Sequence, residues 1–342
     1  MQRSCEAVFP EITVIVPVHD GAAHLKSCLE SIMASVYPSY SCIVVNDGSG
    51  DETASIAARF PTSIVTVEGG PLGPAYARNR GAAVARGSIL FFVDCDVAIA
   101  PRSVEQVSEI FRRHPEIDAI FGSYDADPAA PGFISQYRNL LHYFVHQNGR
   151  SQASTFWAGC GAIRKSVFRQ IGGFDEKRFP QPSIEDIELG YRLREAGHRI
   201  WLVPSLQGKH MKAWTFHSMI KNDIMQRAIP WSRLILESQH IPNDLNLSWR
   251  HRFSAILIVL ASICLALSWL RPALLAVSAA FQLSVIILNR DLYLFFARHR
   301  GRRFAIGCVP LHFIYYLSSV GSYLSVWTHH KLKRILFSIT FS

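Results

Sequence analysis

Asp94 and Asp96 interrupt the run "SILFFVDCDVAIA" (Ser88 to Ala100), and Asp47 closes the run "CIVVND". Carboxylates next to an apolar stretch are costly to bury unless something neutralises them. On an extended strand alternate side chains share a face, so Asp94 and Asp96 would stand about 6 to 7 Å apart on one side. That spacing suits one hard cation held between protein and ligand, and oxygen donors favour Mg2+ or Mn2+ over zinc. The alternative is that the strand has ended and both acids are solvated at its mouth. Asp186, in "SIEDIEL", follows Ser183 by three residues, the spacing of a capping box that opens a helix. Glu188 and Arg192 stand at i, i+4, as a helix surface pair does.

The elements that must carry these residues follow from periodicity. "ITVIVPV" (Ile12 to Val18) is an apolar run of strand length, and "GAAHLKSCLESIMASV" places Leu25, Leu29, Ile32 and Met33 at helical spacing. The pattern repeats with "SCIVVNDGS", "DETASIAARF", "SIVTV", "PAYARNRGAAVARG" and "SILFFVD". Continuous apolar strands alternating with helices predict an α/β fold with a mostly parallel sheet covered by helices on both faces. Such sheets bind ligands at the carboxyl ends of their strands, where Asp47 and Asp94 fall. Neither GxGxxG nor GxxxxGK[ST] occurs, so a Rossmann dinucleotide site and a P-loop are not supported.

Beyond about Arg252 the composition changes. Residues 253–270, 272–289 and 304–328 contain no Asp, Glu, Lys or Arg. About 18 helical residues span roughly 27 Å, enough for a thin hydrocarbon core, so these runs are expected to form a transmembrane region. A buried soluble hairpin is the alternative for the first two. Basic residues flank the runs, at Arg250 and Arg252, in "RHRGRR" (Arg298 to Arg303) and in "KLKR" (Lys331 to Arg334). The positive-inside rule then places the main domain in the cytoplasm and the chain in the inner membrane as a multi-pass protein. The third run either spans or is re-entrant with a kink at Pro310. The net charge of +9 is better matched by anionic lipid than by nucleic acid, because so many basic residues border the apolar runs. The seven cysteines show no CxxC pair and read as reduced thiols, and "MQRSCEAVFPEITVIV" has no signal-peptide layout, so export is not expected. "WTFHSMIKNDIMQRAIPWSRLILES" mixes apolar and basic residues as an amphipathic segment at a membrane surface does, broken at Pro230.

Together, "VIVPVHD", "IVVNDGSGDET", "GPAYARNRGAA", "FFVDCDV", "FWAGCGAIRKSVFRQIGGFDE" and "EDIELGYRLREAGHRI" resemble the family 2 glycosyltransferases of GT-A fold, in order over about residues 10–240. The chain is thus expected to divide into a catalytic domain over 10–212, which the resemblance covers, amphipathic interface helices over 213–240 and a membrane region over 253–328, both read from composition. The resemblance implies a metal-dependent hexosyltransferase that moves one sugar, with inversion, from a nucleotide sugar expected to be UDP-linked. The acceptor would be a hydroxyl of a lipid or lipid-linked saccharide, as in the building of cell-envelope glycans. Asp47 and the backbone of a "VPV" turn at Pro17 would meet the nucleobase. Arg78 would lie close to the nucleotide, Asp94 would touch ribose or metal, and Asp96 would ligate Mn2+ or Mg2+, with His210 as a further ligand. Trp157, Gly159 and Glu185 would line the sugar or acceptor pocket, and Asp186 would be the general base. Processive relatives carry [QR]-x-x-R-W where this chain has Arg227-Ala-Ile-Pro230-Trp231, so polymer synthesis is not implied. A polyprenyl-phosphate glycosyltransferase and a non-catalytic sugar-nucleotide scaffold are the competing readings.

Overall fold

The computed structural model describes residues 11–238 and 241–340, which fall into two compact units. Among the described residues one comprises 11–130 and 149–213, the other 131–148 and 214–340 apart from 239–240.

In the first unit the apolar runs become strands. β1 (Ile12–Val18) is buried throughout and lies between β2 (Tyr40–Asn46) and β4 (Ile89–Val93), with β3 (Ser63–Thr66) beyond β2, all four parallel. On the other side β7 (Cys160–Arg164) runs antiparallel to both β4 and β6 (Ala119–Tyr124). β8 (Ile200–His210) is parallel to β6, and β5 (Val97–Ile99) is antiparallel to β8. The eight-stranded order is 3-2-1-4-7-6-8-5. The sheet is thus mixed around β7: a run of apolar residues reports burial on both faces but carries no information about direction.

Helices cover this sheet. α1 (Ala22–Met33) buries Leu25, Cys28, Leu29 and Ile32, one stripe at helical spacing. α2 (Thr53–Ala57) and α3 (Pro74–Val84) follow β2 and β3, and α4 (Ser103–Arg113) buries Val104, Val107 and Phe111. Two further helices belong to the same unit as α3, Lys165–Gln170 and Glu185–Glu195.

The second unit is helical. Its first helix, α5 (Phe133–Gln147), lies in sequence inside the stretch expected to be catalytic, with α6 (Lys165–Gln170) and α7 (Glu185–Glu195) after it. α5 joins the C-terminal helices because its aromatic face meets theirs: Phe133 packs on Phe304 at 5.1 Å and Tyr137 on Phe296 at 6.0 Å between ring centroids. Arg138 of α5 pairs with Asp223 at 2.6 Å. Asp223 lies in a π-helical stretch, Asn222–Ala228, between α8 (Phe216–Lys221) and α9 (Ile229–Ser238). A break at Pro230 was expected, but the chain stays helical: the wider π winding just ahead of the proline accommodates its missing N–H and its ring.

α10 (Trp249–Leu267), α11 (Leu274–Leu288), α12 (Arg290–Arg300) and α13 (Arg302–Thr340) complete the unit. By length and apolarity α10 and the Arg302–Lys333 part of α13 can each cross a membrane. α11 qualifies only together with α12, from which it is bent by 67°. α13 is helical through Pro310. At the α11–α12 bend a polar network is buried: His251 Nδ1 lies 2.9 Å from the Tyr316 hydroxyl, which donates to Asn289 Oδ1 at 3.3 Å. Asn289 Nδ2 donates to Ser254 Oγ, and the Tyr293 hydroxyl meets His312 Nδ1, both at 2.9 Å.

Candidate active site

All the candidate residues belong to the sheet unit. β4 stops at Val93 and the chain turns at once, closed by the Val97 N–H donating to Asp94 O at 2.9 Å. The alternation that would set Asp94 and Asp96 on one strand face therefore does not apply, which corrects that expectation. Instead each acid finds its own partner. Asp94 Oδ1 accepts from Arg78 Nη2 at 2.7 Å, and Asp96 Oδ2 lies 3.4 Å from His210 Nε2. The pairing of β5 with β8 puts Val97 opposite His210, and the Met211 N–H bonds to Asp96 O at 2.9 Å, so sheet register brings the imidazole to the acid. The His210 ring stacks on Tyr124 at 4.3 Å. Burial would raise the Asp96 carboxyl, but the hydrogen bond with His210 and the positive field of His210, Lys212 and His24 together outweigh it and hold Asp96 below its ordinary range. Burial pushes Asp94 upward, with Arg78 opposing.

Among the described residues no group of three or more His, Cys, Asp or Glu side chains gathers to cage a metal. Asp96 and His210 nevertheless converge as one oxygen and one nitrogen donor. This half-site fits Mn2+ or Mg2+ in the usual manner of a cation that takes its other ligands from a diphosphate.

Arg78 projects from α3 and is 4% exposed. Its Nη1 donates to Glu185 Oε1 at 2.7 Å while Nη2 holds Asp94, and its guanidinium lies 5.5 Å from the centre of the Phe174 ring. Burial works against the Arg78 charge, but Asp94 and Glu185 outweigh it and keep the group protonated. Glu185 is 5% exposed and its Oε2 accepts the Ser183 N–H at 3.0 Å. Arg78, expected close to the nucleotide, and Glu185, expected at the sugar or acceptor pocket, are thus brought together: each charge is buried, and each is stabilised by the other.

α7 opens at Glu185 with Ile184 as N-cap and no side-chain capping bond, so the capping-box reading of Ser183 and Asp186 does not hold. Asp186 is half-buried and faces the other way, accepting the Ala158 N–H on Oδ2 at 3.1 Å and the Ile187 N–H on Oδ1 at 2.8 Å. Burial, with the neighbouring Glu185 charge adding to it, pushes Asp186 up to about 7. That value lets a carboxylate accept a proton near neutrality.

Pro17 lies within β1 opposite Val45 rather than in a turn. Asp47 is buried, and its carboxylate accepts the Leu72 N–H at 2.9 Å and the Gly73 N–H at 2.7 Å. A Cβ at Gly70 would lie 2.9 Å from Asp47 Oδ1, so the loop after β3 closes on the acid only because a glycine stands there. Gly159 serves a similar close approach. Its carbonyl accepts the Asp94 N–H at 3.1 Å, and a Cβ there would fall 2.6 Å from the Trp157 indole. Trp157 meets Tyr124 edge-on at 4.9 Å. Tyr124, which touches both Trp157 and His210, was missed in the sequence, where it is one aromatic at the end of an apolar run. The "DGSGD" turn was legible only as a turn, yet Asp51 Oδ2 accepts the Ala22 N–H at 2.9 Å and so ties the β2–α2 loop to the start of α1.

This arrangement can be set beside known proteins. The glycosyl transferase family 2 model matches residues 13–172. Glycosyltransferase AglE of Haloferax volcanii is 34% identical over 211 residues, which cover 60% of this chain and 68% of AglE. The chain belongs to glycosyl transferase family 2. A second relative in the family, the probable glycosyltransferase YdaM of Bacillus subtilis, is 25% identical over 57% of this chain, which spans about half (49%) of YdaM's length. The fold is that of the mannosyltransferase PcManGT from Pyrobaculum calidifontis, solved in complex with GDP-Man and Mn2+: TM-score 0.58 at 18% identity, covering 93% of this chain and 88% of that one. The family 2 match covers Asp47, Arg78, Asp94, Asp96, Trp157 and Gly159 and ends before Asp186 and His210.

Proposed function

We propose that this family 2 member is a membrane-anchored, inverting glycosyltransferase that moves a single sugar from a nucleotide sugar to a hydroxyl of a lipid or lipid-linked saccharide. The observation that carries the reading is Asp186, a half-buried carboxylate raised to about 7 and oriented by two backbone N–H groups. A hydroxyl nucleophile needs such a base, since it must lose its proton as it attacks. Its oxygen bonds to the anomeric carbon from the face opposite the leaving group, and its proton passes to Asp186. The bond from that carbon to the phosphate oxygen breaks, and the electron pair leaves with the nucleoside diphosphate. Asp96 and His210 are the residues that would hold Mn2+ or Mg2+. A bound cation supplies Lewis-acid stabilisation of the charge growing on the diphosphate. Asp47 shapes the loop expected to meet the nucleobase, and Trp157 and Gly159 border the donor sugar or acceptor. α10, α13 and the bent α11–α12 pair support a membrane anchor, with the sheet unit on the cytoplasmic side by the positive-inside argument.

The test is a panel of UDP- and GDP-sugars with Mn2+, offered to the detergent-solubilised protein with membrane extract as acceptor. A labelled product that partitions into organic solvent and survives mild acid is expected. An acid-labile product together with near-normal turnover in Asp186→Asn would assign a polyprenyl phosphate as acceptor. Metal-dependent donor binding with neither transfer nor hydrolysis would make the chain a scaffold.

A further inference from the structure

We infer that Glu185 is a positioning residue for proton transfer: held by Arg78 and by the Ser183 N–H, it keeps a fixed negative charge beside Asp186 and anchors the guanidinium that also grips Asp94. This role rests on Asp186 being the base. Three charged groups act electrostatically on Asp186 from three parts of the sheet unit: Glu185 beside it on α7, Arg78 from α3, and Asp94 after β4. With Glu185 ionised these neighbours carry one net negative charge, and with a neutral residue in its place they carry none.

Geometry gives the charge little freedom. Glu185 Oε1 is 2.7 Å from Arg78 Nη1, buried from water, and Oε2 is 3.0 Å from the Ser183 nitrogen, which is partly buried. The Arg78 Nε is buried and has no hydrogen-bond partner among the described residues, so the hydrogen bonds that hold the guanidinium are those to Glu185 and Asp94. Removing the Glu185 charge leaves Arg78 the dominant field at Asp186. A cation favours the ionised carboxylate, which then holds a proton less tightly and is a weaker base.

The experiment is the pH dependence of kcat/KM with whichever UDP- or GDP-sugar the wild type turns over. The wild-type acid limb is expected near pH 7, from Asp186. In Glu185→Gln it should move down by about one unit or more, with a lower plateau. Glu185→Asp, which keeps the charge, should restore the wild-type limb. An unmoved limb in Glu185→Gln, with turnover lost in Asp186→Asn, overturns the role of Glu185 alone. Full turnover in Asp186→Asn overturns the base reading beneath it. If Glu185→Gln lacks the wild type's cooperative thermal unfolding and so has not folded, the question passes to the wild-type protein. There the carboxyl carbon resonance of Asp186, identified by its loss in Asp186→Asn, should titrate near neutrality, and a midpoint at the ordinary aspartate value overturns the inference.

Discussion

In the sheet unit, buried polarity is ionised and clustered. Arg78 joins Asp94 and Glu185, and Asp96 meets His210 where strands end. Among α10–α13 it is built instead from His251, Ser254, Asn289, Tyr293, His312 and Tyr316 around one bend, with no carboxylate in the network. The ion pair of Arg138 with Asp223 lies on α5 and the π-helical stretch, outside those four helices. The difference follows from solvent. A strand end opens to water and to charged ligands, so opposed charges can be retained there for chemistry. Helices as apolar as α10 and α13 offer little to rehydrate a charge, and hydroxyls and amides satisfy the backbone break at lower cost.

The sharpest test of this contrast is Asp186→Asn. Turnover should fall by at least about 100-fold while donor affinity changes little. Asp96→Ala comes next and should abolish Mn2+-dependent binding of the nucleotide, read by calorimetry with UDP and GDP; unchanged binding would remove Asp96 from the metal site. For stability the largest effect belongs to Arg78→Met, which strands two acids and should cost about 3–5 kcal/mol in denaturant unfolding. Adding Asp94→Asn and Glu185→Gln to it should recover part of that loss.

A smaller effect is pH-dependent. Because the Asp186 carboxyl stands near 7 in the folded protein against an ordinary 3.8, its neutral form is the one the fold prefers. Its contribution to stability is complete below about pH 3.8 and is lost as pH rises through about 7. The wild type should therefore lose more melting temperature between pH 5 and pH 8 than Asp186→Asn does. Smallest of all is Tyr316→Phe in the helical network, expected to cost about 1 kcal/mol. A loss as large as that of Arg78→Met would erase the contrast between the units.

Much of the architecture was legible because it is periodic. β1, β2 and β4 are continuous apolar runs, α1 carries its buried stripe at helical spacing, α10 covers most of the first uncharged stretch and α13 contains the third. What was not legible depends on contacts distant in sequence. Arg78 and Glu185 are separated by 107 positions, and nothing local to either announces the other. β7 is five residues long and its direction is set by its neighbours. α5 was not singled out in the sequence, and its place in the helical unit depends on Phe296 and Phe304, which supply the surface it packs on. The acids of "DCD" were visible, but the turn that separates their partners is a matter of one hydrogen bond. Cysteine chemistry was simpler: the six described thiols are free, and burial pushes Cys42 and Cys160 up to about 12, which leaves them protonated and inert at neutral pH.

The grip of Asp47 on the Leu72 and Gly73 N–H groups has a consequence that can be timed. Amide protons in a surface loop ordinarily exchange with solvent deuterium quickly, but a proton held by a buried carboxylate must wait for the loop to open. Those two positions should stand out as slow-exchanging between faster neighbours. If a nucleobase takes Asp47 as its partner, the carboxylate is drawn away from the loop and the two amides speed up on nucleotide binding. If the base binds elsewhere, they slow further. Deuterium uptake at two residues thus distinguishes an acid that reads the donor from one that only shapes the loop around it.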